Sequence, residues 1–527
     1  MATIVALATL LSKVVGLVRQ LAIAAAFGTG VVKSAYDVSS IIPAFFLILL
    51  GGINGPFHSA MVSVLSKRKK EDVAPLVESI STIVGTVFFV IAIGIALAAP
   101  LLIDLFAPGL RQASNGLEIR SIAIQQLQVM APIAWFAGMI GVGFGTLNAA
   151  DLYWLPSISP LLSSVVLIVG IGILSLSLGD NISAPQYALL GGLVLAGGSL
   201  VGTLLQWGAQ FLAQLKAGLG RFRLRFDLRD PGVQEVFRVM GPALFASGML
   251  QINVMTDLFF TSFLPNAGPA IASLEYANLL VQTPLGILSN VILVPFLPLF
   301  SRLTDPSNWG ELKQRIRQAL LVTAVAMLPL GALIMALSTP IVQVVYERGA
   351  FKPEATQLVA SVLMSYAVGM FVYLGRDVLV RVFYALGDSN TPFRISMVNI
   401  FLNALFDFLL YKPFGITGIV LATVCVNIIS MIALTYFLNR KLHGLPWQSW
   451  AGAIAGLLLA SGVSGSAAYG ILQVLQRLMG NQGFFIPLLQ LCLSGAIGLG
   501  LFGAIATQLR LPEVEMFVRR IRQKLGR

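Results

Sequence analysis

Apolar residues run along this chain in blocks of roughly 20, the length at which a helix crosses a hydrocarbon core, separated by short polar or basic connections. Two such blocks fill Leu11–Leu65, followed by Pro75–Phe106, Ser121–Ala149, Ser157–Leu178 and Tyr187–Leu215. After the polar break KAGLGRFRLRFDLRDPG a second series begins: Val236–Leu264, Ile271–Phe300, Leu320–Val345, Ala355–Leu386, Ile395–Tyr411 and Gly415–Leu438. Ala451–Leu475 and Phe484–Leu509 stand outside the pattern. These blocks predict an all-α polytopic membrane protein of about 14 transmembrane helices. Outer-membrane strands would alternate apolar and polar residues over about 10 positions, and no stretch does so.

The two series resemble each other. APIAWFAGMIGVGFGTLNAADLYWLPSIS ends a helix at Ala149 with Pro156 beyond it, and YLGRDVLVRVFYALGDSNTPFRIS ends one at Ala385 with Pro392 at the same spacing. AYDVSSIIP (Ala35–Pro43) pairs with EYANLLVQTP (Glu275–Pro284). Both matches lie at an offset of roughly 240 residues, the mark of a duplicated six-helix unit. The expected layout is an N-lobe over 1–215, a basic cytoplasmic linker over 216–232 and a C-lobe over 233–440. The last two spans and a basic C-terminal helix occupy 441–527. Transporters built from such repeats bind substrate between them and alternate access by rocking.

Composition agrees: 57% of residues are hydrophobic and 11% charged, against about 25% charged in soluble domains. The net charge of +12 is not a nucleic-acid footprint, because its placement alternates. Basic clusters fall at Lys67–Lys70, Lys216–Arg229, Arg302–Arg317, Arg440–Lys441 and Arg510–Arg527, while the intervening loops carry little more than Lys33, Arg111, Lys412 and Arg477. The positive-inside rule then puts both termini in the cytoplasm. The terminal EVEMFVRRIRQKLGR reads as an amphipathic helix lying on the anionic inner leaflet. Cys425 and Cys492 sit inside apolar runs and support neither a disulfide nor a metal site. The first apolar run precedes its charges, so it reads as a span rather than a removable signal.

Polar residues inside the spans carry the candidate chemistry. Lys13 and Arg19 lie in LLSKVVGLVRQLAIAAAFG, with Gln20 seven residues after Lys13 on the same face. Asp37 and Asn54 lie in the next span among the breakers Pro43, Gly51, Gly52, Gly55 and Pro56. Charge and broken helix at bilayer depth are tolerated where they line a cavity, and a guanidinium there suits phosphate. The bland reading is that both cations snorkel to the headgroups. In NIFLNALFDF, Asn399, Asn403 and Asp407 recur every four residues and stack on one helix face. With Thr423 in the next span and Asp257 in QINVMTDLFF, they offer oxygen donors for a hard monovalent cation. The competing reading is interhelical hydrogen-bond glue. No phosphate-cradling loop, metal-ligand spacing or activated nucleophile is present in the sequence, so an enzyme is not expected.

LSKVVGLVRQLAIAAAFGTG followed by NGPFHSAMVSVL resembles the MurJ/MviN family of lipid II flippases, within the multidrug/oligosaccharidyl-lipid/polysaccharide exporter superfamily. So do MGPALFASGMLQINVMTDLFFTSFL, LGILSNVILVPFLPLFSRL and FYALGDSNTPFRIS, which together cover both lobes. The resemblance implies carriage of a polyprenyl-pyrophosphate-linked peptidoglycan precursor from the inner to the outer leaflet. The family's Ser-Arg-x-x-Gly-x-x-Arg-Asp motif stands here as Ser12, Lys13, Gly16, Arg19 and Gln20, with lysine for the first arginine and glutamine for the acid. Two further cavity arginines of the family fall near Leu49 and Leu279. Its sodium site maps onto Asp257, Asn403, Asp407, the Ile419 carbonyl and Thr423, and its lipid-tail groove onto the last two spans. The expected partners are the lipid-linked saccharide, membrane lipids and cell-wall synthesis proteins, with the chain a monomer. The alternatives are export of another polyprenyl-linked glycan or of a cationic drug, and a non-transporting cell-wall scaffold. A drug exporter should place acids, not Lys13 and Arg19, in the N-lobe cavity.

Overall fold

A computed structural model describes residues 2–51, 55–221, 223–481 and 483–514, and among them every regular element is helical. The chain divides into two compact units, 1–272 with 348–352, and 273–347 with 353–527.

In the first unit α1 (Ala2–Phe27), α2 (Val31–Leu49), α3 (Pro56–Leu65) and α4 (Lys70–Phe106) are followed by α5 (Gly116–Met130) and α6 (Ile133–Ala149). Then come the short α7 (Trp154–Ile158), α8 (Pro160–Leu178), α9 (Ala188–Lys216) and α10 (Pro231–Thr261). Proline opens α3, α8 and α10, where its missing N–H costs no hydrogen bond. At α10 the Asp230 carboxylate also accepts from Gly232 N at 2.6 Å, an N-cap of the usual kind. α6 carries four glycines and is buried over most of its length. α2, α5, α6, α8 and α9 pack on one another around Leu127, Ala123, Leu195 and Leu167. Residues 348–352 close on α1: Ala350 N donates to Ala25 O at 2.8 Å. Gly349 (φ +60) approaches so closely that a Cβ there would stand 2.3 Å from Ala25 O, so only glycine fits.

α11 (Ala267–Arg302) begins in the first unit and continues into the second, which holds α12 (Trp309–Ala336), α13 (Ser338–Tyr346) and α14 (Pro353–Val368). It is completed by α15 (Met370–Ala385), α16 (Asn390–Lys441), α17 (Trp447–Met479) and α18 (Phe485–Gln508). α17 packs on α12 and α18. Ser464 Oγ donates to Gly498 O across the last pair at 2.6 Å, polar glue of the kind membranes favour.

Among the described residues nine helices are long and apolar enough to cross a bilayer, or 12 if each of three bent pairs is one span. The expected count of about fourteen requires two further readings. α16, at 52 residues, is twice the length one span needs, and Gly415 (φ 60, ψ −138) interrupts it. α10 would be the other span. The bends have identifiable causes: α5 and α6 meet at 41° at Ala131–Pro132, and α14 and α15 at 41° around Gly369. Leu176 is 90% exposed and Phe485 80%. Such side chains belong against acyl chains, which makes this a multi-pass membrane protein.

Candidate functional site

α1 places its two cations differently. Lys13 is exposed, as snorkelling would have it. Arg19, six residues and about 9 Å farther along the axis, is half-buried, with Nε withdrawn from solvent. Among the described residues no hydrogen bond or ion pair engages it. Buried guanidinium nitrogens almost always have a partner, so this one is poised for an anionic ligand. Gln20 beside it is buried, 7% exposed. Asn54 lies outside the described residues, as does most of the C-terminal basic segment.

Asp37, expected at the ligand, is ion-paired to Lys33 one turn earlier on α2. Lys33 is 0% exposed; the charge pattern alone had read it as an external-loop lysine. The K-x-x-x-D spacing was the available signal, since residues four apart on a helix face each other. Around this pair the wall is polar. Tyr36 Oη and Ser199 Oγ are 2.7 Å apart, Ser39 Oγ donates to Gln126 Oε1 at 3.1 Å, and Gln126 Nε2 donates to Gly192 O at 3.0 Å. α9 adds three buried glutamines, Gln206, Gln210 and Gln214, at four-residue spacing, a ladder that the sequence reading missed although its period is plain. His58, one of the two histidines of the chain, lies 2.7 Å from Asn148 Nδ2 through its Nε2.

The second unit assembles most of the expected cation ligands. Asn399, Asn403 and Asp407 fall on one face of α16 and are buried, Asp407 completely. Asn403 Nδ2 donates to Asp407 Oδ2 at 2.8 Å. Beyond the break at Gly415 the helix returns so that Thr423 Oγ1 lies 3.4 Å from Asn403 Oδ1. Asn427 Nδ2 donates to the Thr423 carbonyl at 2.8 Å, and Ile419 is fully buried in the same turn. A carboxylate, an amide oxygen and a hydroxyl on facing turns form a hard-oxygen set that fits a group-1 cation better than a transition metal. Among the described residues no three His, Cys, Asp or Glu side chains cluster as a metal site. Asp257, the remaining expected ligand, is half-buried on α10 of the first unit.

Comparison with known proteins bears on what these groups serve. The family model described as "Lipid II flippase MurJ" matches residues 23–490. The chain is 53% identical over 526 residues to the probable lipid II flippase of Synechocystis sp., covering 100% of this chain and 97% of that one. It is 29% identical to the probable lipid II flippase of Vibrio cholerae, over 96% and 95% of the two chains. Among solved structures it resembles a lipid II flippase in an inward closed conformation, with TM-score 0.76 and 22% identity over 95% of this chain and 98% of that one. An inward-facing multidrug resistance MATE family transporter of the MOP superfamily gives TM-score 0.64 at 15% identity, over 82% and 94% of the chains, a likeness of fold alone. With the model matched across both units and a relative more than half identical from end to end, the chain belongs to the MurJ family of lipid II flippases, which are transporters rather than enzymes.

Proposed function

We propose that this protein moves lipid II from the inner to the outer leaflet of the bacterial cytoplasmic membrane by alternating access, as a monomer with both termini in the cytoplasm. The observation that carries the reading is Arg19: a guanidinium inside a membrane helix, half-buried and engaged by no described residue. It would take the pyrophosphate bidentately, Lys13 would add charge at the cavity mouth, and Gln20 would donate to a phosphate or sugar oxygen. Neutralising the diphosphate is the main electrostatic task, because a charge left unpaired in hydrocarbon is expelled. Full-length identity to flippases weighs against the drug-exporter and scaffold alternatives.

In the same proposal sodium is held by Asp407, the Asn403 amide oxygen, Thr423 Oγ1 and the Ile419 carbonyl. Bound there, the cation neutralises Asp407 and couples transport to the gradient and the membrane potential. With one of the family's cavity arginines replaced by lysine and two more by leucines, Arg19 bears more of the phosphate recognition alone.

The test is rescue of cells depleted of their own flippase, scored by growth and by lipid II reaching the outer leaflet. Arg19→Ala should abolish both while the protein still inserts at wild-type level. Normal growth and normal lipid II export on Arg19→Ala would refute the assignment.

A further inference from the structure

A lateral groove in the first unit has no place in the transport scheme. Its inner part, about 220 Å³, lies between α4, α6 and α9 under the start of the linker. It is walled by Trp135, Trp207 and Phe211, with Arg221 and Arg223 at the mouth. Trp207 stacks on Phe211 at 5.3 Å and meets Trp135 edge-on at 5.4 Å. A second hollow of about 300 Å³ continues along α4 past Ala92 and Ala96, under the bend at Ala131–Pro132, and shares Phe89 and Trp135 with the first. Phe89 is 57% exposed, so the groove opens sideways from the helix bundle.

The two ends differ in chemistry. The outer hollow is apolar but for Gln128. The inner end holds Thr82, Gln214 and Gln210. Gln210 is 0% exposed; its Nε2 donates to Ser159 Oγ at 2.9 Å, while its Oε1 is buried with no partner. The linker roofs this end: Arg221 N donates to Glu78 Oε1 at 2.9 Å, and Thr82 Oγ1 accepts from Arg225 N and lies 3.0 Å from Arg223 O. The guanidinium groups of Arg221 and Arg223 belong to exposed residues and have no ion pair among the described residues. From Thr82 to Ala96 the groove follows about 21 Å of helix, more than the roughly 15 Å of hydrocarbon in one leaflet.

We infer that this groove binds one anionic phospholipid, for which phosphatidylglycerol serves as the probe. Its phosphate lies at Arg221 and Arg223, and one acyl chain lies along Ala92 and Ala96. Basic residues at headgroup level attract anionic lipid, tryptophans favour that same interface, and the apolar hollow continues from it. A lipid seated there fastens the linker between α9 and α10 to α4.

Native mass spectrometry of the purified full-length protein, with phosphatidylglycerol and phosphatidylcholine of identical chains, tests this. Wild type should retain phosphatidylglycerol about tenfold more strongly. The double variant Arg221→Ala, Arg223→Ala should lose that preference. Ala96→Trp, which fills the tail hollow without altering charge, should lower retention of phosphatidylglycerol about tenfold. Melting temperatures without added lipid should be unchanged, and since both arginines are exposed the double variant tests the site even if Ala96→Trp does not fold. Equal retention of the two lipids by wild type, or undiminished phosphatidylglycerol in the arginine variant, would overturn the proposal. Displacement of phosphatidylglycerol from the groove by a polyprenyl-pyrophosphate saccharide would also overturn it.

Discussion

Lys33→Met separates the structural from the ligand-binding role of α2's charges. Lys33 is fully buried and the Asp37 side chain is 5% exposed, so neither charge is hydrated. Removing one partner of such a buried pair costs about 3–5 kcal/mol. Replacing both with apolar residues of similar volume is close to neutral or stabilising in comparable sites. Lys33→Met and Asp37→Leu should therefore each lower stability strongly, and the double variant should recover most of it, a coupling visible in a double-mutant cycle. Thermal unfolding in one detergent supplies the stabilities, and rescue of flippase-depleted cells supplies function. A double variant that is stable and rescues growth assigns Asp37 to holding α2; one that is stable but inert assigns it to the substrate. Additive single losses with no recovery in the double variant would refute the reasoning.

Asp407→Asn keeps the shape of the α16 cluster and removes its charge; under the proposed coupling, lipid II export should depend on sodium in wild type but not in the variant across a sodium-for-potassium series, with insertion unaffected. Persistence of the wild-type sodium dependence would rule out Asp407 as a ligand. Arg120 grips Asp104 through two bonds, Nε to Oδ1 at 2.6 Å and a terminal nitrogen to Oδ2 at 2.8 Å, with Arg111 on the same carboxylate. Arg120→Ala should cost about 1–2 kcal/mol, discounted for partial exposure. Arg120→Lys should recover less than half of that, because lysine cannot supply the fork; both are read by thermal unfolding. Asp388, in the turn before α16, is pushed upward in pKa by burial but held below the ordinary carboxylate range by Lys441 at 2.8 Å and by Thr391. A depressed folded pKa stabilises above the unfolded value of about 3.9 and is lost as pH falls through the folded one. The stability gap between wild type and Asp388→Asn should thus be flat from about pH 7 to 5 and close below about pH 4; a gap that widens on acidification would contradict the pairing.

Much of the molecule could be read from the chain because the bilayer is so restrictive a solvent. An apolar run of 20 residues in hydrocarbon has to be a helix, so helical class, approximate spans and the break at Gly415 follow from residue order alone. The four-residue spacing of Asn399, Asn403 and Asp407 likewise fixed a shared helix face before any packing was known. Which polar residues meet is another matter, because it depends on how helices turn toward one another. Lys33 reads as a loop charge by hydropathy, yet packing buries it against Asp37. Arg19 and Lys13 look alike in sequence, yet only Arg19 is drawn inward and engaged by no described residue. Local order dictates where the backbone must close its own hydrogen bonds; only the packed helices decide which side chains remain with valences for a ligand.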